Sequence, residues 1–135
     1  MRVMLDTNVL VSMVLFQSAS FRRMMEIIAE HHVLVLSSYV IDELFEVADR
    51  KFPTRRYIIE RFMRKLSYEM VYTPSQIDDG LFSIRDVKDY PVLYSAIIEN
   101  VDIFVTGDKD FDDVDIEKPK IYTPAEFLRE FDGNQ

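Results

Sequence analysis

The 135-residue chain contains no cysteine. That excludes disulfides, thiolate nucleophiles and zinc–cysteine sites, and it fits a reducing compartment. Glycine is almost as scarce, with only Gly80, Gly107 and Gly133. No Gly-rich phosphate cradle can be drawn from them, so a nucleotide cofactor is not expected. Long apolar runs are missing too: the stretch Val9 to Phe16 is interrupted by Ser12 and far too short to span a bilayer. The opening Met1-Arg2-Val3-Met4-Leu5-Asp6 lacks the basic region, apolar run and cleavage site of a secretory signal. No internal repeat, low-complexity tract or Gly/Ser linker is visible. Together these absences imply a single domain over residues 1–135, soluble and cytoplasmic, with no membrane association.

Positive charge is in deficit: 16 Lys and Arg oppose 24 Asp and Glu, for a net charge of −8. Its distribution is uneven. Between Asp49 and Lys65 lie Arg50, Lys51, Arg55, Arg56, Arg61, Arg64 and Lys65, opposed only by Asp49 and Glu60, so this segment carries +5 and the remainder −13. A basic helix face on an acidic protein is commonly solvated surface, and the asymmetry gains meaning only from what surrounds it.

Short apolar runs alternate with stretches of helical periodicity. Val3-Met4-Leu5, Val33-Leu34-Val35-Leu36, Met70-Val71-Tyr72 and Ile103-Phe104-Val105 each end at turn or cap residues and read as strands buried on both faces. Ile121-Tyr122 predicts a last short strand, and Thr123-Pro124-Ala125-Glu126 carries the cap, first-turn proline and reaching glutamate of a helix start. The periodicity predicts one helix face at Phe21, Met24, Met25 and Ile28, closed by His31-His32, where a cation suits the helix terminus. It predicts another at Val40, Leu44, Val47 and Ala48, and a third at Tyr57, Ile58, Phe62 and Leu66. Val92 to Ile98 reads as an almost wholly apolar helix against the sheet centre. Strand–helix alternation implies an α/β fold, a parallel sheet flanked by helices, with its site at the carboxyl ends of the strands.

That rule gives four acids one location. Asp6 ends the first strand, Asp108 follows a later one, Glu43 lies in the first turns of the helix after the second strand, and Asp89 begins the Val92–Ile98 helix after a loop containing Asp86. Taken singly, each has a plainer reading: Asp6 as a turn or cap residue, Glu43 as solvated, Asp89 as a helix N-cap, Asp108 as a turn residue beside Gly107. None of these explains why all four share one sheet edge. Converging carboxylates repel unless protons or cations intervene, and hard oxygen ligands without Cys or His select Mg²⁺ or Mn²⁺. One such ion activates water and polarises a phosphodiester, and a second about 3.5–4 Å away stabilises the leaving oxygen.

Four blocks, in order, carry a resemblance. Val3-Met4-Leu5-Asp6-Thr7-Asn8-Val9-Leu10 resembles the first strand and turn of the PIN-domain family, more narrowly its VapC-like toxin–antitoxin branch. Leu36-Ser37-Ser38-Tyr39-Val40-Ile41-Asp42-Glu43-Leu44, Arg85-Asp86-Val87-Lys88-Asp89-Tyr90-Pro91 and Val105-Thr106-Gly107-Asp108-Lys109-Asp110-Phe111 are similar to the three later blocks. The likeness runs from residue 2 to about residue 128. It implies a Rossmann-like sheet and a metal-dependent endoribonuclease that cleaves single-stranded RNA, often with a protein antitoxin as partner. By position, Asp6, Glu43, Asp89 and Asp108 would hold Mg²⁺ or Mn²⁺ and carry catalysis. Asn8 and Thr106 would orient carboxylates or water, and Asp86 and Asp110 would be alternative or outer ligands. Apart from the resemblance, the basic run and its helical spacing set Arg61, Arg64 and Lys65 on related faces, where they would contact RNA. Apolar residues near the first helices, Phe16, Phe21, Met24 and Met25, suggest a homodimer. Two other readings stay open: a catalytically weak RNA- or antitoxin-binding module of the same fold, and phosphoryl transfer through an aspartyl intermediate. The last is disfavoured by Asn8, which stands where a second Asp would be needed.

Overall fold

In the computed structural model, which describes residues 1–133, the short apolar runs form five strands. They are β1 (Arg2–Leu5), β2 (Val33–Ser37), β3 (Glu69–Val71), β4 (Ile103–Val105) and β5 (Lys120–Tyr122). All pairings are parallel, in the order β3-β2-β1-β4-β5. Six helices flank the sheet: α1 (Thr7–Leu15), α2 (Ala19–His31), α3 (Ser38–Lys51), α4 (Arg56–Lys65), α5 (Tyr90–Ile98) and α6 (Pro124–Phe131). Short 3₁₀ turns at Pro53–Arg55, Val87–Asp89 and Lys109–Phe111 join them.

β1 lies at the centre, and Val3, Met4 and Leu5 are buried completely. A parallel strand with neighbours on both sides and helices above and below has no face left for water, which is why it reads as an unbroken apolar run. The edges differ. β3 begins at the exposed Glu69 and Met70 and stops at the buried Val71, so the expected strand Met70–Tyr72 is shifted by one residue and Tyr72 stands in solvent. β5 likewise starts on the exposed Lys120. Burial on both faces therefore holds for Val3–Leu5, for β2 beyond the exposed Val33 and for β4, and fails at the rim.

Local chemistry sets the helix boundaries. The Ser18, Ser37 and Thr123 hydroxyls accept from the amides of Phe21, Val40 and Glu126 and so start α2, α3 and α6. At α6 the Glu126 carboxylate also accepts from the Thr123 amide, which completes the expected capping box. α3 buries Val40, Leu44 and Ala48 as expected, and α5 buries Tyr90 and every residue from Val92 to Ala96. On α2 the buried residues are Met24, Ile27 and Ile28, while Phe21 and Met25 are half-buried. Of the apolar residues credited to a surplus face, Met24 thus belongs to the core, and Phe16 is the one fully on the surface. At the end of α2, His32 packs against Phe127 and Phe131 of α6, and burial pushes its pKa below the ordinary 6.5.

The face of α4 departs from expectation. Its buried residues are Ile59 and Met63, one turn apart, whereas Tyr57 is 65% exposed. α4 packs on α1 and α3. Its apolar residues span a wide arc, and an arc centred on the 59/63 stripe leaves Ile58 and Phe62 half-buried at its border. Ile59→Ala should lower unfolding free energy by about 2–5 kcal/mol in a urea titration, whereas Tyr57→Ala should stay within about 0.5 kcal/mol of the parent.

Candidate functional site

From β1 the chain moves through α1 and α2 to β2 on one side, and only after β3 does it cross through α5 to β4 on the other. The strand order reverses between β1 and β4, and in open α/β sheets the carboxyl ends at such a reversal are where sites form. Leu5 and Val105 are paired across that boundary. The next residues continue the ladder: the Asp6 amide donates to the Val105 carbonyl (3.0 Å), and the Thr106 amide to Tyr122 (2.9 Å). Asp6 and Thr106 are thereby brought side by side, and the Thr106 hydroxyl donates to Asp6 Oδ2 at 2.8 Å. Asp6 Oδ1 accepts from the Thr7 amide at 2.8 Å and caps α1. The cap reading of Asp6 is thus realised with one oxygen. That does not exhaust the carboxylate, which is 6% exposed and has other acids beside it.

Glu43 reaches the same place from α3, and its Oε1 accepts a short hydrogen bond from the Thr7 hydroxyl. Asp108 joins through the turn after β4. Its amide donates to Thr106 Oγ1 (3.1 Å), and its Oδ1 accepts from the Asp110 amide (2.9 Å). Two threonines therefore organise three acids: Thr7 links Asp6 to Glu43, and Thr106 links Asp6 to Asp108. Burial pushes the Asp6 carboxyl above the usual carboxylate range against the opposing bonds from Thr106 and Thr7, and the charges of Glu43 and Asp108 push it further.

Asp89 ends the 3₁₀ turn ahead of α5. Its side chain makes no capping bond, so the plain N-cap reading is not realised, and its Oδ2 is buried with no hydrogen-bond partner. Burial first, then the charges of Asp108, Asp6, Asp86 and Asp110, push its pKa to about 7. One oxygen each of Asp86, Asp89 and Asp110 lies within 4.8 Å of the other two. The tightest grouping therefore unites one of the four leading candidates with the two expected as outer ligands. Asp6 and Asp108 act on Asp89 by their charge, and Glu43 joins Asp6 through Thr7.

An orphaned buried carboxylate oxygen among five further acids fits a hard divalent cation, because the donors are all oxygen and their charges need an opposing one. Of the supporting residues, Thr106 is tied into the site, whereas Asn8 is exposed and hydrogen-bonds none of these acids among the described residues. Sequence reasoning passes over three participants. Thr7 is the link to Glu43. Tyr39 donates to the Lys88 carbonyl at 3.4 Å, and its pKa is raised by burial and by Glu43 and Asp89. Arg85 ion-pairs with Asp110 at 3.7 Å. Each stands inside one of the four blocks, and the signal is a hydroxyl or cation within four residues of an acid.

The basic candidates lie elsewhere. Lys65 lines a groove with Val33, Leu34 and Glu69 at the amino ends of β2 and β3. Arg61 and Lys65 together flank Gln17, beyond the far end of α1. That is the opposite edge of the sheet from the acids, about 13 Å away along α1. Arg64, exposed on the same helix, donates to the Glu60 carbonyl (3.4 Å).

This arrangement has known counterparts. The sequence model of the PIN domain matches residues 2–110. The chain belongs to the PIN-domain family. Among solved structures, it is similar to VapBC2 of Rickettsia felis, crystallised on a DNA fragment from its promoter, with a TM-score of 0.69 and 18% identity over 91% of this chain and 98% of that one. It is also similar to Mycobacterium tuberculosis VapC20, a toxin that cleaves the sarcin–ricin loop, with a TM-score of 0.60 and 12% identity over 82% and 92% of the two chains. At these identities the likeness is one of fold. No curated protein sequence matches the chain.

For this PIN domain the acid cluster dictates a pH dependence. The folded-state pKa of Asp89, about 7, lies above its unfolded value, so without metal the folded state holds the proton more tightly. Stability is then full below the unfolded value and is lost as pH rises through the folded one. Melts in EDTA between about pH 4 and pH 8 should show a falling midpoint for the parent and a flatter profile for Asp89→Asn, with the variant ahead at the alkaline end.

Proposed function

We propose that this PIN domain is a Mg²⁺- or Mn²⁺-dependent endoribonuclease that cuts single-stranded RNA, and that it is the toxin of a toxin–antitoxin pair. The observation that carries the reading is the buried, unpartnered oxygen of Asp89 among Asp6, Glu43, Asp86, Asp108 and Asp110 at the strand-order reversal. The cap and turn positions of Asp6 and Asp108, by contrast, are satisfied by protein donors.

Asp6, Glu43, Asp89 and Asp108 are the residues we assign to metal and catalysis, with Asp86 and Asp110 beside Asp89 on the tightest set of oxygens. A divalent cation held there supplies Lewis-acid activation of water and of the phosphodiester. The chain supplies position. The Thr106 and Thr7 bonds fix both oxygens of Asp6, and the Thr7 hydroxyl aims Glu43. The Asp110 amide sets Asp108. Such fixed donors remove reorganisation from the reacting geometry, which is the main thing a protein contributes to phosphoryl chemistry.

The toxin assignment rests on the likeness of fold to VapBC2 and VapC20. It brings a protein antitoxin as partner and a cytoplasmic setting; among the described residues no helix is long and apolar enough to cross a membrane. An apolar groove of about 410 Å³ lined by Met13, Phe21, Met25, Phe62 and Leu66 offers surface to an antitoxin or to a second copy of the chain.

Cleavage of a mixed single-stranded RNA pool, mapped to nucleotide resolution, tests the reading. EDTA should abolish cleavage, and Mg²⁺ or Mn²⁺ should restore it. Asp6→Asn, Glu43→Gln and Asp108→Asn should each lower the single-turnover rate by about 100-fold or more, since even supporting shells of metal sites cost that order. Binding of the pool with no cleavage under any metal would establish the binding-module reading instead.

A further inference from the structure

Six carboxylates share the site edge, and Arg85 is the one basic side chain among the described residues that ion-pairs with any of them. It adjoins Asp86 in the chain and holds two acids at once. Its Nη1 lies 3.7 Å from Asp110 Oδ1, and its Nη2 donates to Asp113 Oδ2 at 2.7 Å. Arg85 is 63% exposed and Asp113 78%, so water competes for both, and such pairs exchange readily. The two contacts differ in kind. Asp110 belongs to the tight oxygen set with Asp86 and Asp89, whereas Asp113 lies outside it. A phosphodiester oxygen carries the same charge as the one Asp113 oxygen that the guanidinium holds. Lys88 and Lys109, also exposed, form no ion pair among the described residues and carry no such marker.

We propose that Arg85 is the phosphate-binding residue of this site, and that Asp113 occupies its guanidinium in the free protein and yields it to an RNA phosphate. The inference rests on the ribonuclease reading above and names its substrate contact. A divalent metal on Asp110 would weaken that acid's 3.7 Å pull on Arg85 and leave Asp113, at 2.7 Å, as the group an RNA phosphate displaces. Phosphate binding thus sits at the acid edge, not on Arg61, Arg64 and Lys65 at the opposite one.

The test is fluorescence anisotropy of a short fluorescein-labelled single-stranded RNA of mixed sequence, with Ca²⁺ present, titrated with salt between about 50 and 200 mM. Arg85→Gln should weaken binding several-fold and make the salt slope shallower by about 0.7, the share of one phosphate contact on a single strand. Its melting midpoint and its calorimetric Mn²⁺ affinity should stay close to the parent's. Asp113→Asn should tighten RNA binding by at least about twofold in the parent and have no effect in the Arg85→Gln background. An unchanged slope for Arg85→Gln in a protein that cuts RNA overturns this inference and leaves the ribonuclease reading standing. So does an equal effect of Asp113→Asn in both backgrounds, or a slope that moves with Arg61, Arg64 and Lys65 changed to Gln and not with Arg85. A parent protein that neither binds nor cuts RNA overturns both.

Discussion

Repulsion among like charges is the constraint around which this molecule is arranged. A parallel sheet sends every strand toward the same edge, and the reversal of strand order between β1 and β4 sets the residues just beyond those strands side by side. In this chain those residues include acids. Holding several carboxylates together out of water is unfavourable by several kcal/mol unless hydrogen bonds or cations offset it. The fold meets that cost unevenly. Threonine hydroxyls and backbone amides satisfy Asp6, Glu43 and Asp108, whereas Asp89 keeps a buried oxygen with no partner. The deficit is concentrated on one atom.

Two kinds of scaffold hold these acids. Asp6 and Glu43 stand on a strand end and a long helix, the most rigid positions available. Asp86, Asp89, Asp108 and Asp110 stand on short turns, which have few internal bonds and need outside support. Aromatic packing supplies it. Phe111 follows Asp110 and is buried against Phe104 of β4, with ring centroids 5.2 Å apart. Tyr90 follows Asp89, stacks on Phe82 at 4.1 Å, and gives its hydroxyl to the Asp78 carbonyl. Asp89 and Asp110 thus each have a buried ring as their immediate neighbour, which carries the rigidity of the core outward to the site.

Much of this is legible in the residues because it depends on local pattern. Val3–Leu5 and Ile103–Val105 announce central strands by being apolar throughout, and the turn residues after them mark the edge where Asp6 and Asp108 lie. The hidden part depends on the third dimension. Asp86 and Asp110 enter the sequence reading only as alternative or outer ligands, yet their oxygens, with one of Asp89, make the tightest set. That spacing is decided by how two turns fold over each other. The face of α4 escapes the sequence because its arc of apolar residues is wider than one stripe, and only packing on α1 and α3 centres it on Ile59 and Met63. The basic run after Asp49 is conspicuous by its charge. Packing sets two of its members, Arg61 and Lys65, beside Gln17, beyond the end of α1 away from Asp6.

The margins of the sheet have a bearing on how such a chain keeps company. Both outermost strands are three residues long, and each begins on an exposed charge, Glu69 on β3 and Lys120 on β5. Glu69 is further occupied by the Arg2 guanidinium at 3.0 Å. A visiting strand would find few free backbone groups on either margin and a charged side chain at each entrance. The sheet is closed to extension by its own brevity. Contact with another protein is left to helix faces, where the match of side-chain shapes rather than backbone pairing decides which neighbour is accepted.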